Sequence, residues 1–229
     1  MPSVNPLFNL DIEACLTVLE SGGLILYPTD TIWGIGCDAT SESAVAKIFE
    51  LKRRPDSKAL IVLIADERSL LQYVASPHIE VFDYIMGVSK PTTIIYDDAI
   101  GLASNLLAED GSVGIRICAD EFCKHLIKRF RKPIVSTSAN VSGFPPPKVF
   151  SDIDIAVTQG VDYVVNYRQD DTIQSEPSAV VKFSKDGRFT ILRPYLVPFV
   201  SFWLFLLHEA HTCYSNCFYR RCCTRNSYA

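Results

Sequence analysis

The segment Leu24-Ile25-Leu26-Tyr27-Pro28-Thr29-Asp30-Thr31-Ile32-Trp33-Gly34-Ile35-Gly36-Cys37-Asp38 is the strongest constraint on how this chain can fold. Leu24 to Tyr27 is a short apolar run with the character of a buried strand, and Pro28 stops it because proline has no N–H for a ladder. Thr29, Asp30 and Thr31 follow at once, so three polar side chains gather at a strand end. Gly34 and Gly36 then allow a tight turn and a close approach of the backbone to a ligand. Polar groups beside permissive backbone suit a small-molecule site, and they also suit an ordinary strand-turn-strand.

The rest of the chain alternates helical and strand patterns. Ile12, Cys15, Leu16 and Leu19 have helical spacing over Asp11 to Glu20, and Ser21-Gly22-Gly23 ends that helix. Ser41 is placed to cap a second helix running to Leu51, with Ala44, Val45, Ile48 and Leu51 on one face. Short helices are expected at Glu67 to Val74 and Ile79 to Met86, and an amphipathic one at Asp120 to Phe130. Strands are expected at Ala59 to Ile64, Thr92 to Tyr96, Ser112 to Ile117, Pro133 to Ser136, Tyr163 to Asn166, Ala179 to Phe183 and Phe189 to Leu192. This alternation, without a dinucleotide fingerprint or an internal repeat, predicts one mixed α/β domain.

Composition excludes several classes. Hydrophobic residues at 48% and charged residues at 21% belong to a globular chain, and a net charge of −4 argues against a generally basic nucleic-acid binder. No apolar run reaches the roughly 18 residues of a membrane span, and no signal peptide is expected. Of eight cysteines, Cys15, Cys37, Cys118 and Cys123 are scattered through the body and read as reduced, partly buried thiols of a cytoplasmic protein.

Three local patterns carry chemistry. Lys52-Arg53-Arg54-Pro55-Asp56-Ser57-Lys58 is a basic loop between a helix and a strand. It is either a solvated turn or a polyphosphate clamp, since Arg and Lys match phosphate oxygens by charge and geometry. It is not a Walker loop. Arg116 lies among aliphatics in Val113-Gly114-Ile115-Arg116-Ile117, where a buried cation needs an anion, either a structural carboxylate or a substrate group. Ser136-Thr137-Ser138-Ala139-Asn140-Val141-Ser142-Gly143 is a row of hydroxyls and an amide. It can form a turn network or surround an anion.

Taken together, Tyr27-Pro28-Thr29-Asp30-Thr31, Lys52-Arg53-Arg54-Pro55 with Lys58, Gly114-Ile115-Arg116, and Ser136-Thr137-Ser138-Ala139-Asn140 with Ser142-Gly143 resemble the YrdC/TsaC family of L-threonylcarbamoyladenylate synthases. The resemblance covers residues 8–194. It implies a single YrdC-like α/β domain, a twisted mixed sheet with flanking helices around a basic concave cavity. It also implies synthesis of threonylcarbamoyl-AMP and pyrophosphate from L-threonine, bicarbonate and ATP, with Mg²⁺ as counterion to ATP and no other metal. Partner proteins would then transfer the threonylcarbamoyl group to tRNA, and contact with tRNA is expected.

By this resemblance Lys52, Arg54 and Lys58 are the catalytic cations that hold the triphosphate. Ser112, Ser138, Asn140 and Arg193 contact the nucleotide. Thr31, Arg116, Ser136 and Ser178 hold L-threonine, with Arg116 on its carboxylate. No residue reads as a covalent nucleophile. The sequence departs from the family pattern at Ala59, Leu63, Lys90 and Ala179.

Residues 195–229 change character, from an apolar run at Tyr195 to Leu207 to a segment with Cys213, Cys217, Cys222 and Cys223. These ligand types suit zinc, but their spacing is not a pair of Cys-x-x-Cys halves. The tail reads as an extension without a catalytic role, or as an interfacial or partner-binding helix. Two other functions fit the same domain: an RNA-binding module without turnover, and a carbamoyl-transfer domain like those in hydrogenase-maturation proteins. The second lacks its usual acylphosphatase and zinc-finger neighbours.

Overall fold

Apolar spacing places the helices, and a side-chain cap fixes the start of several of them. In a computed structural model that describes residues 8–53, 60–174, 176–183 and 189–194, α1 spans Asn9–Glu20 and buries Ile12, Cys15 and Leu19. The Ser41 hydroxyl caps α2 (Glu42–Lys52) by accepting from the Ala44 N–H at 3.3 Å. α3 (Glu67–Leu70) is one turn, shorter than its apolar spacing predicts, and α4 covers Ile79–Gly87. The Asp120 carboxylate caps α5 (Glu121–Phe130), which buries Phe122, Cys123, Leu126 and Ile127. A sixth helix, α6 (Ile155–Gly160), was not legible from periodicity: it is short, and Asp154 starts it by accepting from the Ala156 N–H at 2.7 Å.

The strands are β1 (Ile25–Tyr27), β2 (Gly34–Gly36), β3 (Ile61–Ile64), β4 (Thr92–Tyr96), β5 (Val113–Ile117), β6 (Ile134–Ser138), β7 (Tyr163–Val164), β8 (Ala179–Phe183) and β9 (Phe189–Arg193). Among the described residues they form one nine-stranded mixed sheet in the order β7-β1-β2-β6-β3-β5-β4-β8-β9. The expected α/β class with a single mixed sheet is therefore observed. The tail at 195–229 and its zinc ligand types lie outside the described residues.

One local expectation is corrected. Gly34 and Gly36 do not form a turn; they are a strand, antiparallel to β1 and then to β6. Close packing explains the second glycine. A Cβ on Gly36 would lie 2.6 Å from the Tyr27 ring and 2.8 Å from the Val135 carbonyl oxygen. Tyr27 is fully buried there and donates its hydroxyl to that same carbonyl at 3.1 Å.

Register decides what the sheet presents to the site. Ile61 of β3 pairs with Gly114 of β5 and Ser136 of β6, while Ser138 of β6 pairs with Gly34 of β2. Since side chains alternate across a strand, Ile61, Arg116, Ser136 and Ser138 share one face. Ile64, Ile115 and Ile117 take the other.

The N-terminal helix is tied to the far edge of the sheet by one buried carboxylate. Asp11 accepts from the Tyr163 hydroxyl at 2.6 Å, the Asn166 N–H at 3.1 Å and the Tyr167 N–H at 2.9 Å. Asp11→Ala strands these donors in a site that is only 5% exposed. Chemical denaturation should show a loss of about 3 kcal/mol, since each buried unsatisfied donor costs roughly 1–3 kcal/mol.

Candidate functional site

The face just described opens into a cavity of about 320 Å³. Thr31, Arg116, Ser136, Ser138, Ser178 and Arg193 all line it, so six of the residues singled out in the sequence come together across five separate segments. Trp33, Leu60, Ile61, Pro146 and Pro177 supply apolar walls that were not singled out. For Trp33 the signal was its place two residues after Thr31, beside the polar turn; its ring packs on Phe150 at 4.8 Å.

Arg116 is the centre of this arrangement. It is 3% exposed, and its guanidinium is aimed by two groups from the turn after β1. Nη2 lies 3.2 Å from the Asp30 carboxylate, and Nη1 donates to the Thr31 hydroxyl at 2.9 Å. Among the described residues its Nε–H is buried without a hydrogen-bond partner. An orphaned donor on a buried cation is costly, which marks this edge of the fork as the place for an acceptor from a ligand.

The Thr31 hydroxyl has its proton assigned by its neighbours. Thr29 donates its own hydroxyl proton to the Ile32 carbonyl at 2.9 Å, so it can only accept from Thr31, 2.9 Å away. Thr31 therefore receives from Arg116, donates to Thr29 and is left with a lone pair for a ligand.

On the opposite wall, Ser178 is held 2.9 Å from the Thr93 hydroxyl, and Arg193 Nε donates to the Ser178 carbonyl at 3.0 Å. Burial first, and then the nearby charge of Arg116, push the Arg193 guanidinium below its usual range. Two arginines that repel one another across a cavity whose lining, among the described residues, holds no carboxylate form a site for an anion.

Of the other expected site residues, the described ones stand outside the lining. Lys52, expected on the triphosphate, is 2% exposed and does not line the cavity. Its ammonium donates to the main-chain carbonyls of Ser138 and Asn140 and to the Asn140 amide oxygen, and so holds the loop after β6. The Asn140 amide in turn donates to the Phe144 carbonyl at 2.6 Å. Ser112 gives its hydroxyl to Asp110 at 2.6 Å and is not in the lining. Arg54, Lys58 and Ala59 lie outside the described residues. Leu63 is buried in register with Arg116, and Ala179 begins β8 next to Ser178.

A larger cavity of about 420 Å³ opens on the other face, between α4 and the Ile94, Tyr96, Ile115 and Ile117 side of the sheet. Its cations Lys90 and Lys124 stand among the carboxylates Asp30 and Glu67, so it lacks the one-signed charge of the first. Burial pushes the thiols of Cys15, Cys37 and Cys123 up, away from a nucleophilic thiolate. Among the described residues no cluster of His, Cys, Asp or Glu could hold a metal ion, and no helix is long and apolar enough to cross a membrane.

Comparison with known proteins gives a consistent result. Residues 17–194 match the Sua5/YciO/YrdC family model, described as telomere recombination. The chain is 32% identical over 160 residues to the threonylcarbamoyl-AMP synthase of Xanthomonas euvesicatoria pv. vesicatoria, covering 69% of this chain and 86% of that one. It is 32% identical over 157 residues to the protein of the same name from Idiomarina loihiensis, covering 67% and 84%. The fold is similar to the crystal structure of P. abyssi Sua5 complexed with L-threonine, with a TM-score of 0.72 at 24% identity. That match covers 84% of this chain and 56% of the P. abyssi protein, so the chain spans little more than half of that longer relative.

Proposed function

The chain belongs to the Sua5/YciO/YrdC family, and from that premise we propose that it is an L-threonylcarbamoyladenylate synthase. The observation that carries the reading is the Nε–H of buried Arg116, which has no partner among the described residues, in a cavity whose described lining holds a second arginine and no carboxylate. The α-carboxylate of L-threonine takes that donor, forming a charge-assisted pair. The lone pair of Thr31 accepts from a substrate N–H or O–H. Ser136 and Ser178 complete the threonine subsite.

The amine of threonine condenses with bicarbonate to give the N-carboxylate and water. A carbamate oxygen then bonds to the α-phosphorus of ATP as the bond from that phosphorus to the β-phosphate bridge breaks, and pyrophosphate leaves. This adenylyl transfer makes the protein a nucleotidyltransferase. Positioning and charge neutralisation supply most of the catalysis in such transfers. Arg193 and Ser138 face the nucleotide, and Asn140 shapes the loop beside it. The resemblance assigns the phosphates to Arg54 and Lys58.

Among the described residues the lining has no carboxylate to retain a resident cation, so this donor set does not fit a fixed metal. Mg²⁺ is therefore assigned to the substrate, entering as MgATP. The product is a mixed anhydride and an acyl donor. Its consumer is a cytoplasmic transferase complex that places the threonylcarbamoyl group on tRNA.

The test uses the full chain with MgATP, bicarbonate and L-threonine, with products followed by mass spectrometry. Threonylcarbamoyl-AMP that appears only when all three substrates are present supports the proposal. A folded protein that binds ATP and makes none of it overturns it.

A further inference from the structure

We propose that Asp30 is the positioning residue that sets the threonine-binding edge of Arg116, a role that rests on the reading of Arg116 as the carboxylate ligand. Arginine has a long, flexible side chain, and a buried one binds with specificity only if its fork is fixed beforehand. Here two contacts fix it. Thr31 takes Nη1, Asp30 takes Nη2, and the Nε edge is what remains for a ligand.

Asp30 is itself held, and its holders are not part of the cavity. Its Oδ2 accepts from the Ala119 N–H at 3.0 Å, and its Oδ1 accepts from the Cys118 thiol at 3.3 Å. Both residues follow directly on β5, the strand that carries Arg116. The carboxylate therefore clamps the turn after β1 to the end of β5 and presses the guanidinium against Thr31. Asp30 does not line the cavity. It acts through Arg116.

Each hydrogen-bond partner of this carboxylate among the described residues is a donor: an arginine N–H, a backbone N–H and a thiol. An ionised carboxylate accepts from all of them, whereas an asparagine amide offers one acceptor and one donor. In either flip the NH2 of Asp30→Asn meets a donor. The isosteric change therefore disrupts the clamp while conserving volume.

The experiment measures KM for L-threonine and for ATP in Asp30→Asn, in Arg116→Gln and in the double variant. Asp30→Asn is expected to raise the threonine KM about tenfold, by the loss of one charged hydrogen bond, and to leave the ATP KM within about twofold. In the Arg116→Gln background the same change is expected to add less than about twofold, because the residue it acts through is gone. An undiminished effect in that background, or an unchanged threonine KM in folded Asp30→Asn, overturns the role. If Asp30→Asn fails to fold, Asp30→Glu replaces it, since it keeps the charge and displaces it. The threonine KM must then rise about threefold or more, and an unchanged value overturns the role.

A second readout needs no turnover. The ¹⁵N–¹H signal of Arg116 Nε, assigned by its disappearance in Arg116→Gln, is expected to exchange slowly in the wild type and rapidly in Asp30→Asn. Equal exchange overturns the role. A wild-type protein without threonine-dependent product overturns the synthase reading instead, and this signal then decides the clamp by itself.

Discussion

Arg116→Gln is expected to raise the KM for L-threonine at least about 30-fold. Truncating one partner of a buried, hydrogen-bonded charge pair costs about 2–5 kcal/mol, and each 1.4 kcal/mol is tenfold. The glutamine amide can still reach toward Thr31, but it supplies no cation and no second N–H for a carboxylate. Arg116→Lys should recover little, since an ammonium is a point charge that cannot serve Asp30, Thr31 and a ligand through one rigid fork. Arg116→Gln also leaves the Asp30 carboxylate buried without its cationic partner, with its side chain only 8% exposed. The melting temperature should fall as well. Steady-state kinetics at saturating ATP and a thermal melt of each variant measure both effects. A threonine KM that stays within a few-fold of wild type would remove Arg116 from the substrate site.

The kinetic split also separates threonine recognition from nucleotide recognition. Arg193 faces Arg116 closely enough for the two charges to repel. Removing Arg116 takes one of the two cations from the cavity, so ATP binding is expected to hold or weaken only slightly while threonine binding collapses. A structural defect would instead weaken both substrates together.

Much of this site was legible because its residue types are uncommon in their settings. An arginine inside Val113-Gly114-Ile115-Arg116-Ile117 stands out, as do three polar residues behind Leu24 to Tyr27. The fold class followed from alternation. What could not be read was direction. Nothing in the spacing shows that Lys52 turns inward to main-chain carbonyls while Arg193, at the end of β9, turns toward the cavity. Both are cations beside apolar runs, and only the packing around each decides where its charge goes. Gly36 misled for a related reason. A glycine's lack of a side chain serves conformational freedom in one place and close packing in another, and the Tyr27 ring that demands it is nine residues away in sequence. Asp30 was visible in the turn, but its partners at Cys118 and Ala119 come from the far side of β5 in sequence and exist only once the sheet has formed.

Lys52→Met should be the most damaging change outside the threonine subsite. Methionine fits the volume of the lysine side chain, so the variant removes the charge and its hydrogen bonds with little change in packing. The carbonyls of Ser138 and Asn140 then lose a buried donor, and the Asn140 amide oxygen loses another contact. The loss in stability should be about 3 kcal/mol by denaturant titration, given roughly 1–3 kcal/mol for each buried group left without its partner. The loop also bridges α2 to the nucleotide side of the cavity, since the Ser142 N–H donates to the Lys52 carbonyl at 3.0 Å while Ser138 lines the cavity. Loosening it should therefore raise the ATP KM about tenfold and spare threonine binding, the reverse of the pattern for Arg116→Gln. Lys52→Arg should not rescue the variant, because a wider guanidinium must enter a fully packed site built around one ammonium. A melting temperature that falls while both KM values stay fixed would make Lys52 a residue of the fold alone. A selective rise in the ATP KM would establish that this buried cation, which does not itself line the cavity, works by holding in place the loop that does.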